Sequence, residues 1–235
     1  SGVYDLDSLS ETIKESKVNK PLIKVLASEN THLASGGSIL PFEHIKSLSK
    51  ISKSNGLKFH MDGARIWHAI LTDPQSIEYG KYCDSLTFCF SKGLGAPIGS
   101  MLMGDKNFIN EAREYRKKLG GGMRQVGIIA SAARYAIENR DHLLEDHKKA
   151  SDVNNSIEKD NRSFHTATYK GTNMLFFSFD TTDSAEIFRK KLEEKNIISG
   201  FIKKDIIRLV FHKDVEIDKV DSIVEAINYS SSIDI

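Results

Sequence analysis

The sequence has little of what membrane-spanning, disulfide-rich or nucleic-acid-binding proteins need. Its 235 residues include only two cysteines, Cys83 and Cys89, so neither a disulfide framework nor a zinc ribbon is expected. No apolar run approaches the roughly 18 residues of a membrane span, and the N-terminus carries no signal-peptide pattern. The 33 basic and 32 acidic side chains nearly cancel, which argues against a nucleic-acid surface built on bulk positive charge. These absences predict a soluble cytoplasmic protein that acts on neither membranes nor nucleic acids.

Strand and helix patterns alternate through the first half of the chain. The apolar strand patterns lie at 22–27, 57–61, 85–90 and 98–103. Helical patterns separate them, and one of these begins at Pro41 and ends at Gly56, a suitable C-terminal cap. This rhythm predicts an α/β fold with a mostly parallel sheet and helices on both faces.

The character of the sequence changes after Asp105. Helical patterns cover 107–119 and 124–161, and the second is so long that we expect a break near 139–141. From Met174 onward the order is strand, helix, strand, helix. We therefore predict a large domain over residues 1–155 and a small C-terminal α+β domain over residues 156–235.

Lys92 follows directly on an apolar strand and is flanked by glycines that let a ligand approach the backbone. A lysine near the end of a buried strand is costly unless it stays neutral or binds something. A lysine that forms a Schiff base meets both conditions. The alternative is a surface lysine whose stem packs before a loop, and taken alone this segment favours that alternative.

Asp62 ends another predicted strand, with Gly63 at the turn and a helix beginning after it. Alone, this acid would be interpreted as a helix cap. However, Asp62 and Lys92 are 30 residues apart, and a strand–helix–strand crossover takes about 30 residues. Both side chains are therefore expected at the carboxyl ends of strands on one edge of the sheet, where active sites of such sheets lie. A lysine and an aspartate facing a pyridinium nitrogen are what pyridoxal 5'-phosphate (PLP) enzymes require.

Four linked motifs carry a family resemblance. They are ENTH at 29–32, LKFHMDGAR at 57–65, SKGLGAPIGS at 91–100 and GGGMRQ at 120–125. In this order and spacing they resemble the L-threonine aldolases, PLP enzymes of fold type I. The resemblance implies cleavage of the small amino acids L-threonine or L-allo-threonine to glycine and acetaldehyde. It also implies a cytoplasmic homodimer or homotetramer, active in threonine catabolism and glycine biosynthesis.

The resemblance assigns roles to residues of the first domain. Lys92 matches the lysine that holds PLP covalently, Asp62 matches the aspartate paired with the pyridine nitrogen, and Arg65 matches an arginine near the cofactor's phenolic oxygen. Lys117 stands where the family has a basic residue near the cofactor phosphate. Arg124 matches a residue at the subunit boundary that serves the active site.

The resemblance also assigns a residue of the small domain. Arg208 matches the arginine that binds the substrate carboxylate, a role suited to a planar guanidinium. The alternative is an ordinary surface strand residue. His32 and His60 are each interpreted as structural rather than catalytic. The histidines show no metal-ligand spacing, so no metal is assigned.

The resemblance further implies that this chain corresponds to the C-terminal two-thirds of family members. The loop that binds the PLP phosphate would then precede residue 1, and we expect the chain alone to bind PLP weakly. Asn19 falls where the family often has a histidine, which leaves the preference between threonine and allo-threonine open. Two alternatives also stay open. One is another fold type I lyase, either β-eliminating or a phenylserine aldolase, and the other is a cofactor-poor scaffold.

Overall fold

A computed structural model describes residues 2–18, 21–157 and 162–232, so Asn19 lies outside the described residues. The chain divides into two compact units by its internal contacts. Unit 1 comprises Ser1–His32 and Leu40–Arg140, and unit 2 comprises Leu33–Ile39 and Asp141–Ile235. Each unit is described separately below.

Unit 1 is built on a four-stranded sheet. Its strands are β1 (Val25–Glu29), β2 (Lys58–Asp62), β3 (Ser85–Cys89) and β4 (Ser100–Gly104), in the spatial order β1-β2-β3-β4. The first three strands are parallel, and β4 pairs antiparallel with β3. The alternation of strands and helices therefore produces the mostly parallel α/β sheet that the sequence predicts.

The helices of unit 1 follow the predicted order. They are α1 (Leu6–Val18), α2 (Phe42–Ser54), α3 (Ile66–Thr72), α4 (Lys106–Lys118) and α5 (Gly127–Glu138). Pro41 stands at the N-cap of α2, and Gly56 follows the helix with φ +67°, a left-handed conformation that favours glycine. Helix α2 buries an apolar stripe of Phe42, Ile45 and Leu48, which orients it toward the core of unit 1.

The two faces of this sheet differ. One face carries buried apolar side chains, each no more than 5% exposed: Leu26, Phe59, Met61, Leu86 and Phe88. Alternate residues of the same strands point to the other face, because successive side chains of a strand alternate. On that second face the carboxyl ends of β1 and β2 present charged side chains rather than core residues. One face of the sheet is therefore apolar, and the other carries the polar and charged side chains.

Unit 2 is an antiparallel sheet packed with helices. Its elements are α6 (His142–Ser156), β5 (Thr166–Tyr169), β6 (Met174–Ser178), α7 (Thr182–Glu194), β7 (Gly200–Lys203), β8 (Ile206–Val210) and α8 (Val220–Ser231). The strand order is β5-β6-β8-β7. Its core joins apolar residues of α6, β6, α7, β8 and α8, including Val153, Phe177, Phe188, Ile207 and Ile227. Unit 2 therefore has a hydrophobic core of its own. Full burial of one side chain of this size stabilises the folded state by about 1.5–3 kcal/mol.

The break expected near 139–141 is confirmed, because α5 ends at Glu138 and α6 begins at His142. Helix α6 belongs to unit 2 by its contacts, and the two contact units divide between Arg140 and Asp141, whereas the domain boundary at residue 155 stays a prediction. Ala150 and Val153 of α6 pack into the core of unit 2. The sequence patterns missed β5 and β7, the two edge strands of the second sheet.

Candidate active site

The carboxyl ends of three parallel strands meet at one edge of the first sheet. Glu29 ends β1, Asp62 ends β2, and Lys92 follows three residues after the end of β3 at Cys89. Strands β2 and β3 are direct neighbours, with Asp62 opposite Thr87. The structure therefore places Asp62 and Lys92 after adjacent strands on the same edge, as their spacing in the sequence predicts.

Asp62 is held by the turn that follows β2. Its Oδ1 accepts a hydrogen bond of 3.0 Å from the Ala64 backbone N–H. The backbone N–H of Gly63 donates to the Thr87 carbonyl at 2.7 Å, and a Cβ at position 63 would also lie 2.7 Å from that oxygen. Only glycine therefore allows this close approach. Asp62 acts as a turn cap through one oxygen, and within the described residues its Oδ2 has no hydrogen-bond partner.

The segment after β3 is a loop tied to itself by backbone hydrogen bonds. The Gly95 N–H donates to the Lys92 carbonyl at 2.8 Å, and the Ala96 N–H donates to the Phe90 carbonyl at 3.0 Å. Gly95 has φ +77°, which suits glycine. The Lys92 side chain is exposed and, in the described part of the chain, has no carboxylate partner. Its amino group is therefore attached to a hydrogen-bonded loop and is exposed to solvent.

A cavity of about 400 Å³ opens beside Asp62. Its wall is formed by Gly2, Val3, Tyr4, Ala27, Ser28, Glu29, His32 and Asp62. The Tyr4 hydroxyl donates to the Ala27 carbonyl at 2.7 Å, which fixes the N-terminal segment over β1. Sequence reasoning did not select Glu29 as a site residue and interpreted His32 as structural, although both belong to the ENTH motif. The position of this motif, close after a predicted strand, is the sequence feature that could have identified both residues as site candidates.

Three further residues assigned by resemblance lie in unit 1 but not in this wall. Arg65 directly precedes α3 and is half-buried. Lys117 lies in the last turn of α4, and Arg124 lies in the segment between α4 and α5, where both are exposed. The structure thus brings Asp62 and Lys92 to one edge, whereas Lys117 and Arg124 lie on a solvent-exposed stretch.

Arg208 lies in the middle of β8 in unit 2, opposite Phe176 and Gly200. Its guanidinium is half-buried, and burial lowers its pKa. The buried Nε has no hydrogen-bond partner, and no carboxylate of the described residues pairs with the side chain. An arginine that is partly removed from water without a protein acid is suited to binding an anionic ligand.

Two further features, metal sites and membrane-spanning helices, can be examined in the structure directly. Among residues 2–18, 21–157 and 162–232, no group of three or more His, Cys, Asp or Glu side chains could hold a metal ion. Within the same ranges, no helix is both long and apolar enough to cross a membrane.

The fold is that of the fold type I PLP-dependent enzymes. A threonine aldolase of Leishmania major superposes with a TM-score of 0.72 at 17% identity, covering 97% of this chain and 67% of that one. A 4-hydroxyphenylacetaldehyde synthase of Rhodiola rosea superposes with a TM-score of 0.70 at 18% identity, covering 97% of this chain and 53% of that one. At such low identities the similarity establishes the fold and not the reaction.

The sequence narrows the class further. The beta-eliminating lyase family model matches residues 1–180, and the chain belongs to that family. It is 36% identical to low-specificity L-threonine aldolase 1 of Arabidopsis thaliana, over 91% of this chain and 62% of the relative. It is also 36% identical to the low specificity L-threonine aldolase of Escherichia coli O157:H7, with the same two coverages. The chain thus spans about three fifths of the length of these curated relatives.

Proposed function

We propose that this protein takes part in PLP-dependent aldol cleavage of L-threonine or L-allo-threonine to glycine and acetaldehyde. The observation that carries the proposal is the pair of Asp62 and Lys92 after adjacent parallel strands. The similarity to relatives named low-specificity L-threonine aldolases supports the choice of reaction. The cytoplasmic location is part of the same proposal.

The residues present fit PLP. A free carboxylate oxygen on Asp62 suits a protonated pyridine nitrogen, and an exposed lysine without an acid partner suits covalent attachment of an aldehyde. The glycine turn at position 63 keeps side-chain bulk away from the edge. When bound, PLP supplies an electron-accepting ring that takes up the electrons of the broken Cα–Cβ bond.

Each of the proposed site residues then has a separate role. Lys92 Nζ would hold the cofactor, and as a free amine it could hold a proton near the substrate Cα. Asp62 would hold the ring nitrogen and favour its protonated form, because a carboxylate favours a cation beside it. By the motif matches, Arg65 would bind the phenolic oxygen of the cofactor. Lys117 would bind its phosphate, and Arg124 would lie at the subunit boundary.

Substrate orientation is the task proposed for Arg208. A bidentate guanidinium–carboxylate pair would hold the carboxylate of an amino-acid substrate in a fixed orientation on the guanidinium. The absence of a carboxylate partner within the described residues supports this role. Among the residues that the structure describes, no acid has to be displaced before a substrate can bind.

We also propose that the chain assembles as a homodimer or homotetramer. The support is a stretch of exposed apolar side chains in α4, α5 and the segment between them. Tyr115 is 60% exposed, Leu119 84% and Ile128 80%. Exposed apolar groups concentrated in one segment mark interaction surfaces more often than scattered ones do. The basic residues Lys117 and Arg124 lie in the same stretch, which agrees with a role at a subunit boundary.

The family description favours one second candidate, a β-eliminating lyase that releases ammonia and a keto acid. Both candidates need the same lysine and aspartate, so the products distinguish them. Purified protein is mixed with PLP, its visible spectrum is recorded, and borohydride is added before the modified residue is located by mass spectrometry. Capture at Lys92, followed by glycine and acetaldehyde from threonine, would support the proposal. Ammonia and a keto acid would replace aldolase by lyase, and capture at another lysine would contradict the assigned site.

A further inference from the structure

Glu29 occupies a defined position next to Asp62. The two residues are register partners at the carboxyl ends of parallel strands β1 and β2. Neighbouring strands lie about 4.8 Å apart, and registered partners project from the same face of a sheet. Both side chains line the same 400 Å³ cavity. The structure therefore places two carboxylates on neighbouring strands in the wall of one cavity.

The order of the strands shows on which side of Asp62 the Glu29 side chain lies. Because the sheet runs β1-β2-β3, Glu29 lies on the side of Asp62 away from β3 and from Lys92. If Lys92 binds the aldehyde carbon of PLP and Asp62 faces the ring nitrogen, then the nitrogen end of the ring lies at β2. Glu29 is next to that end, and a substrate held near Lys92 lies on the opposite side. This placement argues against Glu29 as the base that acts on the substrate.

We propose that Glu29 is a second carboxylate for the ring nitrogen, and that together with Asp62 it stabilises the protonated pyridine ring. This inference rests on the proposed function. Two neighbouring carboxylates make the local potential more negative than one does, which favours a cationic N–H over a neutral nitrogen. The other titratable groups that line the cavity are Tyr4 and His32. The side chain of Glu29 carries one more methylene than that of Asp62, so the two carboxylates reach to different depths.

The test compares PLP with its 1-deaza analogue, in which a C–H replaces the ring nitrogen. Each is titrated into the full chain free of cofactor, and binding is followed by absorbance. We expect Glu29→Gln to weaken PLP binding about tenfold, the effect of one pKa unit at the nitrogen, and to leave the binding of the deaza analogue unchanged. Asp62→Asn should show the same selective loss. Glu29→Asp, which keeps the charge, should restore most of the preference for PLP.

A matched control is Glu43→Gln, which removes a surface carboxylate that pairs with Lys46 at 2.6 Å on α2. It should change neither affinity. Equal loss of both ligands in Glu29→Gln, or no loss of either, would overturn the role of Glu29. If borohydride still captures PLP at Lys92 in that case, the proposed function stands without Glu29. If the unmodified protein shows no capture at Lys92, the proposed function fails, and the role of Glu29 fails with it.

Discussion

Lys149 of α6 is a buried charged side chain whose removal should strongly destabilise unit 2. Its Nζ lies 2.8 Å from Asp146 Oδ1 and donates to the carbonyls of His212 at 3.0 Å and Val215 at 2.8 Å. Lys149 is 1% exposed and Asp146 is fully buried. The ammonium therefore joins the helix to the loop that follows β8, with its charge balanced inside the protein.

We predict that Lys149→Met lowers the free energy of unfolding by about 3–5 kcal/mol, because it leaves a buried carboxylate without a cation. Burial already raises the pKa of Asp146, and the neighbouring ammonium opposes that rise. The two carbonyls also lose their donor, which adds to the cost. Such a loss is a large fraction of the roughly 5–15 kcal/mol that stabilises a typical domain.

The matched control is Lys148→Met, one position earlier on the same helix. Lys148 is 65% exposed and lies 3.9 Å from Asp152, so its loss should cost less than about 1 kcal/mol. The double variant Asp146→Leu with Lys149→Met removes both charges and should recover part of the loss.

Urea unfolding followed by far-UV circular dichroism measures the three variants, with m-values compared before free energies are assigned. The sole tryptophan, Trp67, lies in unit 1 and does not report on unit 2. Hydrogen exchange of residues 206–231 therefore locates the effect. If Lys149→Met is within 1 kcal/mol of the unmodified protein, or matches Lys148→Met, the argument from the buried pair is refuted.

Three further predictions concern the proposed site and unit 2. Lys92→Ala should abolish covalent capture of PLP and most cleavage while far-UV circular dichroism stays unchanged; undiminished cleavage would contradict its assigned role. Asp62→Asn keeps an oxygen that accepts from the Ala64 N–H but loses the charge. Turnover should therefore fall roughly 10²- to 10³-fold with little change in the free energy of unfolding. Turnover equal to that of the unmodified protein would contradict the proposed role of Asp62 at the ring nitrogen. Burial lowers the pKa of His147 from 6.5 to about 4. The unfolded chain therefore binds a proton that the folded one does not between these values, and stability should fall by up to roughly 3 kcal/mol as the pH drops from 6.5 to 4. His147→Leu should flatten this part of the pH profile of urea unfolding, and an unaltered profile would assign the acid sensitivity to other groups.

Much of the first unit could be predicted because its elements are local. The strands β2 and β3 coincide with short apolar runs, and Pro41 and Gly56 mark the ends of α2. The break between α5 and α6 was also predictable, since one helix rarely continues through so long a polar pattern. The edge strands β5 and β7 were missed. Each is only four residues long and pairs on one side only, with the strand that follows it in the chain, so its own residues carry little signal.

The sequence by itself determined the alternation of elements, the spacing between Asp62 and Lys92 and the motifs that carry the family resemblance. Each depends on residue types and on separations along one chain. Only the tertiary structure decided that Glu29 is the register partner of Asp62, that His32 belongs to the cavity wall and that α6 packs into the second core. These facts depend on which strands pair and which faces meet. Pairing and packing are set by the burial of distant residues against one another, and no local pattern contains that information.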